Sequence, residues 1–174
     1  MHRSALILLF LSGPALAHPS GVSGFMHPFA GLDHLLAMLA VGLWASQLGG
    51  RWRWAVPLAF VTAMSAGALS GMNFSFVEPM VAASVLALGL LVALQVKLRA
   101  AGAAIAALFA LFHGMAHAAE LPVGAEPAAY FAGFILATAL LHGAGILLGL
   151  APRARYVGIP VALCGAWMLS GAVL

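Results

Sequence analysis

The chain has 174 residues, 64% of them hydrophobic and only 6% charged. Soluble domains carry about 25% charged residues, so this composition excludes an ordinary water-soluble globular fold. The formal net charge of +3 comes from basic residues in short, separated pairs, which excludes a nucleic-acid-binding patch. A single cysteine, Cys164, excludes an intrachain disulfide framework and a cysteine-rich zinc module, and reads as small apolar filler.

Taken in chain order, the first segment reads as a targeting signal. Arg3 supplies the positive start, Ala5 to Leu11 a short apolar run, and Ala15-Leu16-Ala17 the small-residue cleavage pattern. Cleavage after Ala17 is expected, leaving 1–17 as signal peptide and His18 as the mature N-terminus. The remaining 18–174 reads as one all-α, polytopic membrane domain. Its six apolar segments, approximately 28–48, 54–72, 79–96, 100–119, 128–150 and 156–174, are each near the ~20 residues a transmembrane helix needs. The breaks carry turn chemistry at Gly49-Gly50, Asn73, Pro79, Pro122, Pro127 and Pro152.

Charge fixes an orientation for these spans. A cleaved signal places the mature N-terminus outside, so the first, third and fifth connections face inward. They hold Arg51 and Arg53, Lys97 and Arg99, and Arg153 and Arg155, as the positive-inside rule requires. Glu78, Glu120 and Glu126 fall towards the opposite face, and Trp44, Trp52 and Trp54 bracket the first inner connection like an interfacial belt. Three helices per half, with Thr62-to-Ala68 resembling Thr138-to-Ala144, fit two inverted repeats of the transporter kind. Gly67-x-x-x-Gly71 and Gly145-x-x-x-Gly149 fit close helix packing.

Inside these apolar segments lie two histidine–carboxylate clusters. One contains His27, Asp33 and His34; the other contains His113, His117 and Glu120. Ionisable groups at membrane depth are costly, and such groups mark ion pathways. Imidazole plus carboxylate also suits a borderline divalent metal such as nickel, zinc or cobalt. His113 and His117 have the i, i+4 spacing by which one helix chelates a metal, and Glu120 shares their face. His27 and His34 share a face if the chain between them is helical throughout, with Pro28 at the first helical position. Asp33 is placed either to ligate metal or to hold a histidine tautomer. At 1.5 Å per residue, Asp33, His34 and His113 all lie ~8–9 Å inside the outer face, although their helices run oppositely. His142 lies ~21 Å from that face and is a candidate for a later station; packing is the equal alternative. His18, with a free amine beside its imidazole, is a candidate first contact at the outer face.

The motifs His-x5-Asp-His at His27, Asp33 and His34, and Phe-His-Gly-x-Ala-His-x-x-Glu from Phe112 to Glu120, resemble those of the HupE/UreJ family, as does the chain as a whole. That family comprises membrane proteins associated with hydrogenase and urease operons and regarded as nickel permeases. Ala118 stands where the family usually has glycine. The resemblance implies dependence of transport on His27, Asp33, His34, His113, His117 and Glu120. It also implies a bacterial inner-membrane permease that carries Ni2+ inward as substrate and supplies hydrogenase or urease maturation; cytoplasmic nickel chaperones or the apoenzyme are the candidate partners that trap the ion. Nickel and cobalt preferences overlap, so Co2+ remains open.

No permanently bound cofactor and no enzymatic activity are expected. The chain lacks a Gly-x4-Gly-Lys-[Ser/Thr] phosphate loop, so it does not itself hydrolyse ATP. An inside-negative potential contributes ~4.6 kcal/mol per 100 mV for a dication, so facilitated diffusion and proton coupling both remain open. The competing reading is an intramembrane zinc-dependent hydrolase, with an acid poised as general base beside an open coordination position.

Overall fold

The computed structural model describes residues 24–173. The expected signal peptide and His18 lie outside the described residues. These contain seven α-helices and no strand: α1 (His27–Ala30), α2 (Leu32–Leu48), α3 (Trp52–Leu69), α4 (Val77–Ala93), α5 (Arg99–Ala119), α6 (Pro127–Gly149) and α7 (Gly158–Val173), the last entered through a 3-10 turn at Ala154–Val157.

Each long helix overlays one apolar segment read from the sequence, with small displacements that have local causes. Pro79 does not mark a boundary: α4 begins at Val77, and a proline in the first turn loses no helical hydrogen bond. Glu126 caps α6 firmly, accepting from the backbone N–H groups of Ala128 and Ala129 at 3.1 and 2.6 Å, and Pro127 follows at the first helical position. Gly49 and Gly50, at φ +68° and +52°, turn the chain sharply after α2 in a region that other residues resist.

The first segment is not one continuous helix. Gly31 adopts extended backbone at φ −93°, ψ 120°, separating the α1 turn from α2. A Cβ at residue 31 would fall 2.8 Å from the Asp33 carboxylate and 3.1 Å from the His34 ring, so the missing side chain clears space for both. His27 and His34 therefore approach each other across a break, not along one helical face.

The helices pack in pairs: α2 with α6, α3 with α5, and α4 with α7. The first two pairs run parallel and the third antiparallel, as their facing positions show (Gly42 and Ser46 of α2 against Gly145 and Gly149 of α6; Gly89 and Leu86 of α4 against Ala162 and Gly165 of α7). Small residues allow these approaches: a Cβ on Gly42 would strike the His142 carbonyl, and one on Gly114 the Met64 carbonyl. Of the two small-residue motifs, Gly145 and Gly149 both pack closely on α2. In the other, only Gly67 lies at a helix contact, while Gly71 sits at φ +64° with open space around it.

Side-chain bonds tie the C-terminus of α2 to the end of α4. The Trp44 Nε1–H donates to the Val96 carbonyl at 2.8 Å, Gln47 donates to the Val92 carbonyl, and Lys97 to the Gln47 carbonyl. Trp44 is thus fully buried and fills the bundle interior; it is not part of an interfacial belt, whereas Trp54 is 67% exposed. Arg51, Arg53, Lys97, Arg99, Arg153 and Arg155 lie in or beside the connections at this end, and Glu78, Glu120 and Glu126 at the starts or ends of helices at the other.

The molecule is apolar outside and carries polar groups inside. Leu58, Leu136, Leu147, Leu163 and Trp167 are exposed, while His27, His34, Ser84, His113, His117, Thr138 and His142 are buried. A water-facing protein does not expose apolar surface so widely. Among the described residues, α5 and α6 are long and apolar enough to cross a membrane, and α2 and α4 are apolar at 17 residues each.

Candidate metal centre

Four elements converge near the acidic end. The α1 turn supplies His27, the first turn of α2 supplies Asp33 and His34, and the last two turns of α5 supply His113 and His117 with Glu120 as the C-terminal cap. Phe134 of α6 closes one side, its ring centroid 3.7 Å from that of His117.

Ligand atoms fall into two overlapping triads, His34–His113–His117 and His27–His117–Glu120, each with its atoms within 4.8 Å of one another. Ligands ~2.1 Å from a metal lie at most ~4.2 Å apart, so small side-chain movements would close either triad around one ion. The histidine rings form a continuous row: His27 to His117 at 4.9 Å, His117 to His34 at 4.2 Å, and His34 to His113 at 5.1 Å between centroids. Glu120 alone in this row is substantially accessible, with 33% of its side chain exposed.

Hydrogen bonds select which nitrogens can face an ion. The Asp33 carboxylate accepts from His34 Nδ1 at 2.7 Å and from the His34 backbone N–H at 2.8 Å. The proton is thus held at Nδ1, and the buried Nε2, which has no hydrogen-bond partner, presents its lone pair. His113 is fixed by a residue not singled out from the sequence. The Ser84 hydroxyl gives its one proton to the Val81 carbonyl at 2.6 Å, so towards His113 Nε2, 2.8 Å away, it only accepts. His113 therefore carries its proton on Nε2, and its buried Nδ1, also without a partner, is left to ligate. The available signal for Ser84 was a lone hydroxyl midway along an apolar helix.

The remaining sequence candidates separate. Asp33 falls in neither triad and acts through His34. His27 Nε2 lies 2.8 Å from Glu120 Oε2, and His117 Nδ1 lies 3.7 Å from the same oxygen. His142 is buried and belongs to neither triad; the Phe60 ring contacts both it and His113, at centroid distances of 5.2 and 5.5 Å. An apolar groove of about 510 Å³ runs between α3, α5 and α6, reaching His117 past Met64, Ala68 and Phe131.

Fold and site together define an all-helical protein with an apolar exterior and an interior imidazole–carboxylate centre whose chemistry suits a divalent cation. The chain belongs to the HupE / UreJ protein family, whose profile matches residues 6–174. It is similar to Protein HupE of Rhizobium leguminosarum bv. viciae, 46% identical over 126 residues. The match covers 66% of each chain, so the chain spans a little under two thirds of that relative's length. No solved structure matches.

Proposed function

We propose that the chain is a six-span bacterial inner-membrane permease that carries Ni2+, with Co2+ as a competing cargo, from periplasm to cytoplasm for hydrogenase or urease maturation. Membership of the HupE / UreJ family and the likeness to Protein HupE support this reading. So do the apolar exterior and the gathering of basic residues at one end, which under the positive-inside rule faces the cytoplasm. Exchanging the first three long helices for the last three maps the α2–α6 pair onto α5–α3 and α4–α7 onto itself, the pairing that two inverted repeats produce.

The observation that carries the reading is the sharing of His117 by two ligand triads, one opening through Glu120 and one wholly buried. An ion captured by His27, His117 and Glu120 reaches His34 and His113 while still held by His117, so it is never stripped of ligands at once. Conduction needs such linked sites, each binding well enough to admit the ion and weakly enough to release it. Release then passes the metal to cytoplasmic acceptors such as nickel chaperones.

The zinc-hydrolase alternative gains no support. It needs a carboxylate poised over an open coordination position, and the Asp33 and Glu120 carboxylates are each hydrogen-bonded to an imidazole. Ser70 and Ser170 bond to their own helix carbonyls, which suits no nucleophile. Nickel accumulation by cells producing His117→Ala is expected to fall to the level of cells lacking the protein, at equal membrane abundance. Wild-type accumulation in that variant would remove the reading.

A further inference from the structure

Beside the Phe60 ring, the interior holds a second set of donors that neither triad uses. His142, two thirds of the way along α6, is 2% exposed, and neither ring nitrogen has a hydrogen-bond partner. A neutral imidazole carries one donor and one acceptor, and burying both unmet is unfavourable unless something else engages them. One helical turn earlier on the same face, the Thr138 hydroxyl is fully buried and points at the Met64 sulfur, 4.0 Å away. Met64 lies one turn beyond Phe60 on α3 and is itself buried. The hydroxyl and the thioether thus meet where α3 and α6 face each other, and His142 lies one turn further along α6, about 22 Å along that helix from Pro127 and about 10 Å from Gly149.

We propose that His142, Met64 and Thr138 form an inner station for a borderline divalent cation, which reaches it from the histidine cluster by passing the Phe60 side chain. This deepens the transport reading and rests on it for direction of travel, but not for the binding itself. One imidazole supported by a thioether and a hydroxyl is a poorer ligand set than three imidazoles, and no carboxylate supports it. Weaker holding on the release side is what a through-going path needs. Phe60 contacts both His113 and His142, perpendicular to the latter at 90°, so its ring adjoins both stations.

The test is equilibrium binding of Ni2+ to the detergent-purified full chain, together with uptake at matched membrane abundance. His142→Leu keeps an apolar side chain of similar bulk; it should bind one ion fewer than wild type at saturation and lose uptake by about tenfold or more. Met64→Leu conserves volume, guarding against misfolding, and should weaken only the lower-affinity binding phase. His142→Leu binding as many ions as wild type, with the same two affinities, would overturn the inner station. Should wild type accumulate no nickel at all, the permease reading fails instead, and the ion count in His142→Leu still decides the station.

Discussion

At the scale of single residues, the site depends as much on proton placement as on ligand identity. Asp33 and Ser84 each hold one histidine in a single tautomer, and the nitrogens so freed face the interior. Asp33→Asn can present an N–H where an acceptor is required, and should weaken nickel binding by roughly 10–100-fold while leaving the helix intact. Titration of the purified variant checks this, and unchanged affinity would show that the carboxylate does not set the tautomer. Ser84→Ala should have a similar effect of roughly 10–100-fold, read as a raised half-saturation concentration for uptake. The motif spacing made His113, His117 and Glu120 legible from the sequence, because i, i+4 and i+3 geometry is local. Ser84 was not legible, because its partner lies 29 residues away and only tertiary packing joins them.

At the scale of elements, hydrophobic runs located all six long helices, because apolar length and turn residues are properties of contiguous sequence. The break at Gly31 escaped that reading. The backbone leaves the helix there so that the Asp33 and His34 side chains can occupy the space beside it, a demand of the site and not of local propensity. Trp44 escaped for a different reason: composition marks a tryptophan near a helix end as interfacial, whereas its hydrogen-bond acceptor, the Val96 carbonyl, lies 52 residues away and only tertiary packing joins them. The close pairs carry their own prediction. Gly114→Val places branched bulk against the Met64 backbone and should destabilise the bundle by about 1–3 kcal/mol. Gly143→Ala, facing open space, should be tolerated. Thermal melts of the two variants in detergent should separate them by several degrees in that order, and the reverse order would contradict the α3–α5 packing.

For the whole molecule, polarity is inverted and charge is separated to opposite ends, and under the proposed topology the histidine row lies near the outer face of the membrane. In a Cys164→Ser background, Val123→Cys should react with an impermeant maleimide added outside intact spheroplasts, and Ala151→Cys only after the membrane is opened. Labelling of both from outside would contradict the six-span topology. The central claim is that the shared imidazole pocket moves the ion. Its most direct test is nickel flux into proteoliposomes holding purified protein, under an imposed inside-negative potential. Wild type should accumulate Ni2+ and His34→Ala should not, although both are incorporated equally. Equal flux through the two would contradict it.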